Sequence, residues 1–256
     1  MPHPTFENEI LISTTLQSSV FLKEGLLHLD NFVTISDTKF SDLYGILDSL
    51  VEIQTTKLNK ESARSELRRI KSEDSMYEVI FQAFNVLKSN LNILNEVRIP
   101  STEILTDDWF SHAFTAIDRS YLQVAMFRRT KWLRKIRGLY VILDPGFTAG
   151  RDIIDIAKQT LSGGTKILQL RDKKSDKAEV LDMAIRLKEI CESSGALFVV
   201  NDDPDIALLS KAHGLHLGQT DLGVNFARQI IAHETFIGRS NNDLKEALES
   251  ENMGAD

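Results

Sequence analysis

The sequence predicts an α/β half over residues 139–256, built on a parallel sheet, preceded by an all-α half over residues 1–138. Three observations carry this. Apolar residues in the first half recur at three- and four-residue intervals, the period of a helix face. In the second half, short β-branched runs alternate with helical patterns, the signature of βαβ units. Glycine follows the same division, with three of its 13 residues (Gly25, Gly45, Gly138) in 1–138 and ten in 139–256. Charge changes there too: residues 128–138 carry six cations and no acid, while acids dominate on either side. A domain junction is therefore expected at Gly138.

In the first half the clearest helix is 76–98. There Met76, Val79, Ile80, Ala83, Phe84, Val86, Leu87, Leu91, Ile93 and Leu94 recur for the most part at helical intervals. Residues 38–54 and 107–136 show the same period more loosely, and 57–72 is charged but rich in helix formers. Pro100 breaks the pattern between two of these segments. Thr106 followed by Asp107 and Asp108 predicts a helix start, because a threonine oxygen caps free amides and acids suit the positive end of the dipole. Phe110, Phe114, Tyr121 and Phe127 keep helical spacing and are expected in the core. The basic residues 128–137 around Trp132 are read as the end of a helix, where cations suit the negative dipole.

In the second half the strands are predicted at Leu139–Leu143, Lys166–Leu170, Leu197–Val200, Gly214–Leu217 and Thr235–Gly238. Helices are predicted near 152–162, 177–194, 204–211, 224–232 and 243–252. Gly163-Gly164 and Gly195 are read as helix C-caps. Cys191, the single cysteine, is expected to be a small buried residue, and its isolation excludes an internal disulfide framework and fits a reducing compartment.

At 256 residues with 42% hydrophobic content, the chain is long enough to bury a core, which excludes disorder for its bulk. No apolar run reaches the roughly 18 residues of a membrane span, and Met1–Thr5 lacks the layout of a secretory signal. A cytoplasmic protein without membrane association is expected. The net charge of −7 argues against a general nucleic-acid partner.

In parallel α/β architectures the reactive groups gather at the C-terminal ends of the strands. Four of the five predicted strand ends carry a polar cluster: Gln169–Lys173, Asn201–Asp203, Gly218–Asp221 and Arg239–Asn242. Arg171 and Lys173 lie two apart, so both project to one side of an extended strand end. Guanidinium and ammonium groups together bind phosphate oxygens. Asp202 and Asp221 come from adjacent strand ends and suit one hard cation, since Mg²⁺ takes one or two protein carboxylates beside water and phosphate oxygens. The pattern reads as a metal–diphosphate site. Read singly, Arg171 and Lys173 would be loop charges paired with Asp172 and Asp176. The i, i+3 pair His213 and His216 lies in or beside a strand and is not read as a metal site. His112 is read as surface or packing.

These residues resemble the thiamine-phosphate synthase family, a (β/α)8 TIM-barrel family. The resemblance is carried by Leu139–Asp144, Gly163-Gly164, Gln169–Lys173, Asn201-Asp202, the run Gly214–Asp221, and Gly238 with Ser240. It covers a little under half the chain and says nothing of residues 1–138. It implies a transferase that joins a pyrimidine diphosphate to a thiazole phosphate and releases pyrophosphate. It further implies that Gln169, Arg171, Lys173, Asn201 and Ser240 bind the pyrimidine diphosphate, with Arg171, Lys173 and Ser240 catalytic. Asp202 and Asp221 would hold Mg²⁺. Where the family commonly has a histidine two residues after the serine, this chain has Asn242.

The fold expected is thus a partial barrel behind an all-α domain, because a whole barrel takes roughly 200 residues or more. The chain is expected to be a C-terminally truncated form, with the thiazole-phosphate loops beyond it. An open sheet edge invites pairing with another chain, so a homo-oligomer is an expectation. Two alternatives stand beside the synthase: a thiazole tautomerase-like barrel, and a non-catalytic remnant whose helical half is an interaction module.

Overall fold

The computed structural model describes residues 6–29, 40–52, 60–97 and 105–256. The chain divides into two compact units, Met1–Val124 and Ala125–Asp256. The first holds helices α1 (Phe6–Leu29), α2 (Ser41–Glu52), α3 (Lys60–Leu67), α4 (Glu73–Val97) and the first part of α5 (Asp107–Arg134). The predicted break at Pro100 lies outside the described residues.

Four of these helices follow the predicted spacing, and α4 buries Met76, Ile80, Phe84, Leu87, Leu91 and Leu94 along one face. Thr106 caps α5 as expected, its hydroxyl accepting from the Trp109 amide at 3.1 Å. Tyr121 packs on Phe81, with ring centroids 4.9 Å apart. Helix α1 was not predicted. It buries Leu16, Leu22, Leu26 and Leu29, but Thr15 and Ser19 are buried among them. Their hydroxyls bond back to the carbonyls of Leu11 and Leu16. Polar letters at core positions break the apolar stripe in sequence, while back-bonding satisfies them in the helix. Gly25 lets α1 approach α4 closely, since a Cβ there would lie 3.3 Å from Ile80.

The second unit is a parallel five-stranded sheet whose strands are β1 (Tyr140–Leu143), β2 (Ile167–Leu170), β3 (Leu197–Asn201), β4 (Gly214–Leu217) and β5 (Phe236–Arg239). They lie in chain order, β1-β2-β3-β4-β5. The connecting helices are α6 (Ile153–Ser162), α7 (Lys177–Ser193), α8 (Pro204–Leu209) and α9 (Val224–Ala227), and α10 (Leu244–Asn252) follows β5. Right-handed crossovers that always advance in the same direction put every helix on one face. A doubly wound sheet would instead reverse its order at a switch point. The unit is therefore a partial TIM-type barrel.

Period two then sorts the side chains. Leu168, Leu170, Phe198, Val200, Leu215, Leu217 and Ile237 pack with the helices. On the opposite, inner face Ile167, Leu197, Val199 and Phe236 form a separate cluster around Trp132. Phe236 has room because Gly214 faces it; a Cβ on Gly214 would come within 2.2 Å of its ring. The C-cap glycines act as predicted, with Gly164 at φ +99 and Gly195 at φ +67. Helix α9 is shorter than predicted because the turns after Ala227 tighten to three-residue bonds, as Gln229 to Phe226 and Ile230 to Ala227 show. Cys191 is fully buried, which pushes its thiol up to about 12.

The division between the units falls inside α5, whereas the sequence placed it at Gly138. The cause is the end of α5. Trp132 is buried on the inner face of the sheet, and Arg128, itself buried, lies over the Trp132 ring at 4.8 Å. The basic run thus includes core-forming residues of the second unit. Gly138, at φ +93, marks the turn into β1. Among the described residues no helix is long and apolar enough to cross a membrane.

His213 is buried beside this cluster, its Nδ1 accepting from the Phe198 amide at 2.9 Å and its ring edge-on to Trp132. Burial, aided by Lys188, Arg128 and Lys135, holds its pKa well below 6.5. The unfolded chain therefore takes up the proton first as pH falls. Stability is fully present above about pH 6.5 and declines below it.

Two predictions follow from this packing. Trp132→Ala should cost about 3–5 kcal/mol in denaturant unfolding of the second unit, the usual result of emptying a large core site; a loss below about 1 kcal/mol would show that Trp132 is not a core anchor. His213→Gln should flatten the fall in melting temperature between about pH 7.5 and about pH 5. Equal losses in both proteins would place the acid sensitivity elsewhere.

Candidate active site

The inner face of the sheet continues upward into its polar strand ends. Ile142, Gln169 and Val199 are register partners, and so are Asn201, His216 and Gly238. Alternation puts Asp144, Gln169, Arg171, Asn201, His216 and Ser240 on this inner face. The sequence-predicted residues thus collect at one end of one surface.

Gln169 is only 2% exposed, and among the described residues its Nε2 has no hydrogen-bond partner. A buried amide donor without a partner is costly unless something else takes it up. His216 Nε2 lies 2.9 Å from Ser240 Oγ. Gly238 gives the imidazole its place, because a Cβ there would be 3.1 Å from His216 Nδ1. Burial lowers the His216 pKa, with Asp202 and Asp221 opposing.

Around this patch the charges are paired. Arg171 Nη1 meets Asp144 Oδ2 at 2.5 Å, and Lys173 Nζ meets Asp202 Oδ2 at 2.9 Å. The alternative pairing with Asp172 and Asp176 does not form. Asp172 accepts from the amides of Lys174 and Ser175, and Asp176 is the N-cap residue of α7. Arg171 and Lys173 therefore reach different carboxylates from one strand end.

The carboxyl groups of Asp202 and Asp221 lie close enough to perturb one another. Burial first, then the nearby Asp221, raises the Asp202 pKa; the neighbouring Asp202 first, then the Gly218 amide, lowers that of Asp221. Asp221 also accepts from the Gly218 amide at 2.6 Å. Asp202 stands in the left-handed region at φ +64, and its amide donates to the His216 carbonyl at 2.8 Å. Strict alternation would send Asp202 toward the helices; the left-handed turn instead brings its carboxylate to Lys173 and Asp221. Among the described residues no cluster of three or more His, Cys, Asp or Glu is placed to hold a metal. A cation here would rest on these two carboxylates, with other oxygens completing its shell.

Four further residues at these strand ends enter the sequence reading only within a motif or cluster, with no role of their own. Asp144 ends the one strand whose terminus showed no polar cluster. His216 is half-buried within a strand and enters that reading for its spacing to His213 and as part of the run Gly214–Asp221. Gln219 donates to the Ser240 carbonyl and accepts from Arg239 Nη2 at 2.8 Å, a link across β4 and β5 that has no sequence spacing. Asn242 donates to Glu246 through its amide and side chain.

Residues 139–256 match the family described as "Thiamine monophosphate synthase". A thiamine-phosphate synthase of Shouchella clausii (strain KSM-K16) is 43% identical over 118 residues, 46% of this chain and 56% of that protein. One of Methanospirillum hungatei JF-1 is 44% identical over 119 residues, 46% of this chain and 58% of that protein. Among solved structures, the thiamine phosphate pyrophosphorylase from Pyrococcus furiosus is 34% identical, with a TM-score of 0.45 over 48% of this chain and 59% of that one. The chain spans a little over half the length of the curated relatives it matches. Residues 139–256 are thus similar in sequence to the thiamine monophosphate synthase family.

Proposed function

We propose that the second unit binds a pyrimidine diphosphate and takes part in its condensation with a thiazole phosphate, giving thiamine phosphate and pyrophosphate. The observation that carries this reading is that Arg171, Lys173, Asp202 and Asp221 meet at the strand ends of the face that also carries Gln169, whose buried Nε2 has no partner among the described residues. Cations for a diphosphate, carboxylates for a metal and a polar group for a heterocycle lie on one surface.

In the reaction the bond between the pyrimidine methylene carbon and the diphosphate oxygen breaks, and both its electrons leave with the diphosphate. The thiazole nitrogen donates its lone pair to the same carbon. Negative charge therefore grows on the departing oxygens, where Arg171 and Lys173 stabilise it. Gln169, Asn201 and Ser240 orient the pyrimidine, and His216 holds the Ser240 hydroxyl at 2.9 Å. Asp202 and Asp221 suit Mg²⁺, because two neighbouring carboxylates gain from a cation between them. When bound, Mg²⁺ supplies further positive charge to the leaving group. A cytoplasmic setting accompanies this reading, with the lone buried thiol of Cys191 needing no oxidising compartment.

Titration calorimetry with Mg²⁺ and the pyrimidine diphosphate tests the reading. The chain should bind, and Arg171→Ala should weaken binding by about 1.5–3 kcal/mol, the worth of a charged hydrogen bond. No binding by the unaltered chain would overturn the assignment. Asp202→Asn, which keeps tolerance of the left-handed backbone while removing a like charge, should raise the metal-free melting temperature. It should also abolish the rise that Mg²⁺ gives the unaltered chain. An undiminished Mg²⁺ response would remove Asp202 from the metal site.

A further inference from the structure

We infer that Asp144 is a positioning residue for diphosphate binding, acting through Arg171; this rests on the reading above. The sheet brings the two together. Leu143 and Leu170 are register partners, and the Arg171 amide continues the ladder by donating to the Leu143 carbonyl at 2.8 Å. Asp144 and Arg171 are thus the next residues of adjacent strand ends, on the same face. The Asp144 carboxylate is fixed from both sides. Its Oδ2 takes Arg171 Nη1 at 2.5 Å, and its Oδ1 accepts from the Gly146 amide at 2.8 Å. The short 3₁₀ turn Pro145–Phe147 is moulded around it: a Cβ on Gly146 would lie 3.0 Å from Asp144 Oδ1 and 3.2 Å from Lys174 Nζ.

The burial of the pair is unequal, with 15% of the Asp144 side chain exposed against 37% for Arg171. The carboxylate is the anchored partner, and the guanidinium is the one that meets solvent. A guanidinium carries five donors in a rigid fork. One donor spent on Asp144 leaves the rest free, in a fixed orientation, for a diphosphate. Without Asp144 the long arginine side chain would have to be ordered by the ligand itself, a cost charged against binding.

A plain charge effect predicts the opposite sign. Removing a negative group beside an anion site strengthens anion binding by Coulomb attraction alone. Titration of inorganic pyrophosphate with Mg²⁺ into the full chain and its variants separates the two. Asp144→Asn should weaken pyrophosphate binding about tenfold or more, the scale of losing a second-layer partner. Asp144→Glu, which keeps the charge, should recover part of the loss. In an Arg171→Ala background the Asp144→Asn change should have no further effect, because the two act as one unit. Unchanged or tighter binding by Asp144→Asn, or equal losses with and without Arg171, would overturn the positioning role while leaving the synthase reading intact. Failure of the unaltered chain to bind pyrophosphate would overturn that reading and this inference with it. Far-ultraviolet circular dichroism of each variant guards against loss of fold; if Asp144→Asn unfolds, the Asp144→Glu titration decides, with binding weaker than that of the unaltered chain expected and unchanged or tighter binding overturning.

Discussion

The register of a parallel sheet built in chain order is the constraint on which the second unit depends. Each right-handed crossover adds a strand on the same side, so the helices all cover one face. Side chains alternate along every strand, and a slip of one residue would exchange the faces. With the register Ile142, Gln169, Val199 in place, the apolar helix-facing rows and the polar inner strand ends follow together. Packing and chemistry are thus two faces of one ladder.

The inner face is itself divided along the strands. Its lower part is dry, with Trp132 from α5 against Ile167, Leu197, Val199 and Phe236. Its upper part is polar, with cations and carboxylates in contact. Ion pairs this exposed add little stability by themselves, so their arrangement is better understood as orientation. The left-handed Asp202, its closeness to the carboxyl of Asp221, and the Gln169 Nε2 that has no partner among the described residues are each locally unfavourable. Such costs cluster where a ligand is to be received.

The sheet and most of its helices were legible in the sequence because strand and helix periods are properties of local chemistry. Tyr140–Leu143 and Gly214–Leu217 could be read from β-branched and apolar runs alone. Helix α1 could not, since Thr15 and Ser19 stand where the pattern wants apolar residues and are satisfied only by the helix they help form. Within the site, Arg171, Lys173, Asp202 and Asp221 announced themselves as a polar cluster after an apolar run. Asp144 and His216 lacked that signal, one following a strand without a cluster and the other lying inside a strand.

The sequence by itself determined which residues alternate, where helices stop, and which strand ends carry charge, because these depend on neighbours along the chain. Only the tertiary structure decided the pairings: Arg171 with Asp144, Lys173 with Asp202, His216 with Ser240. It also decided that the second unit begins inside α5, because Trp132 finds its apolar partners 35 and more residues further along the chain. The physical reason is the same in each case: adjacent parallel strands are separated by a whole helix, so groups that touch across the sheet have no spacing in sequence to betray them.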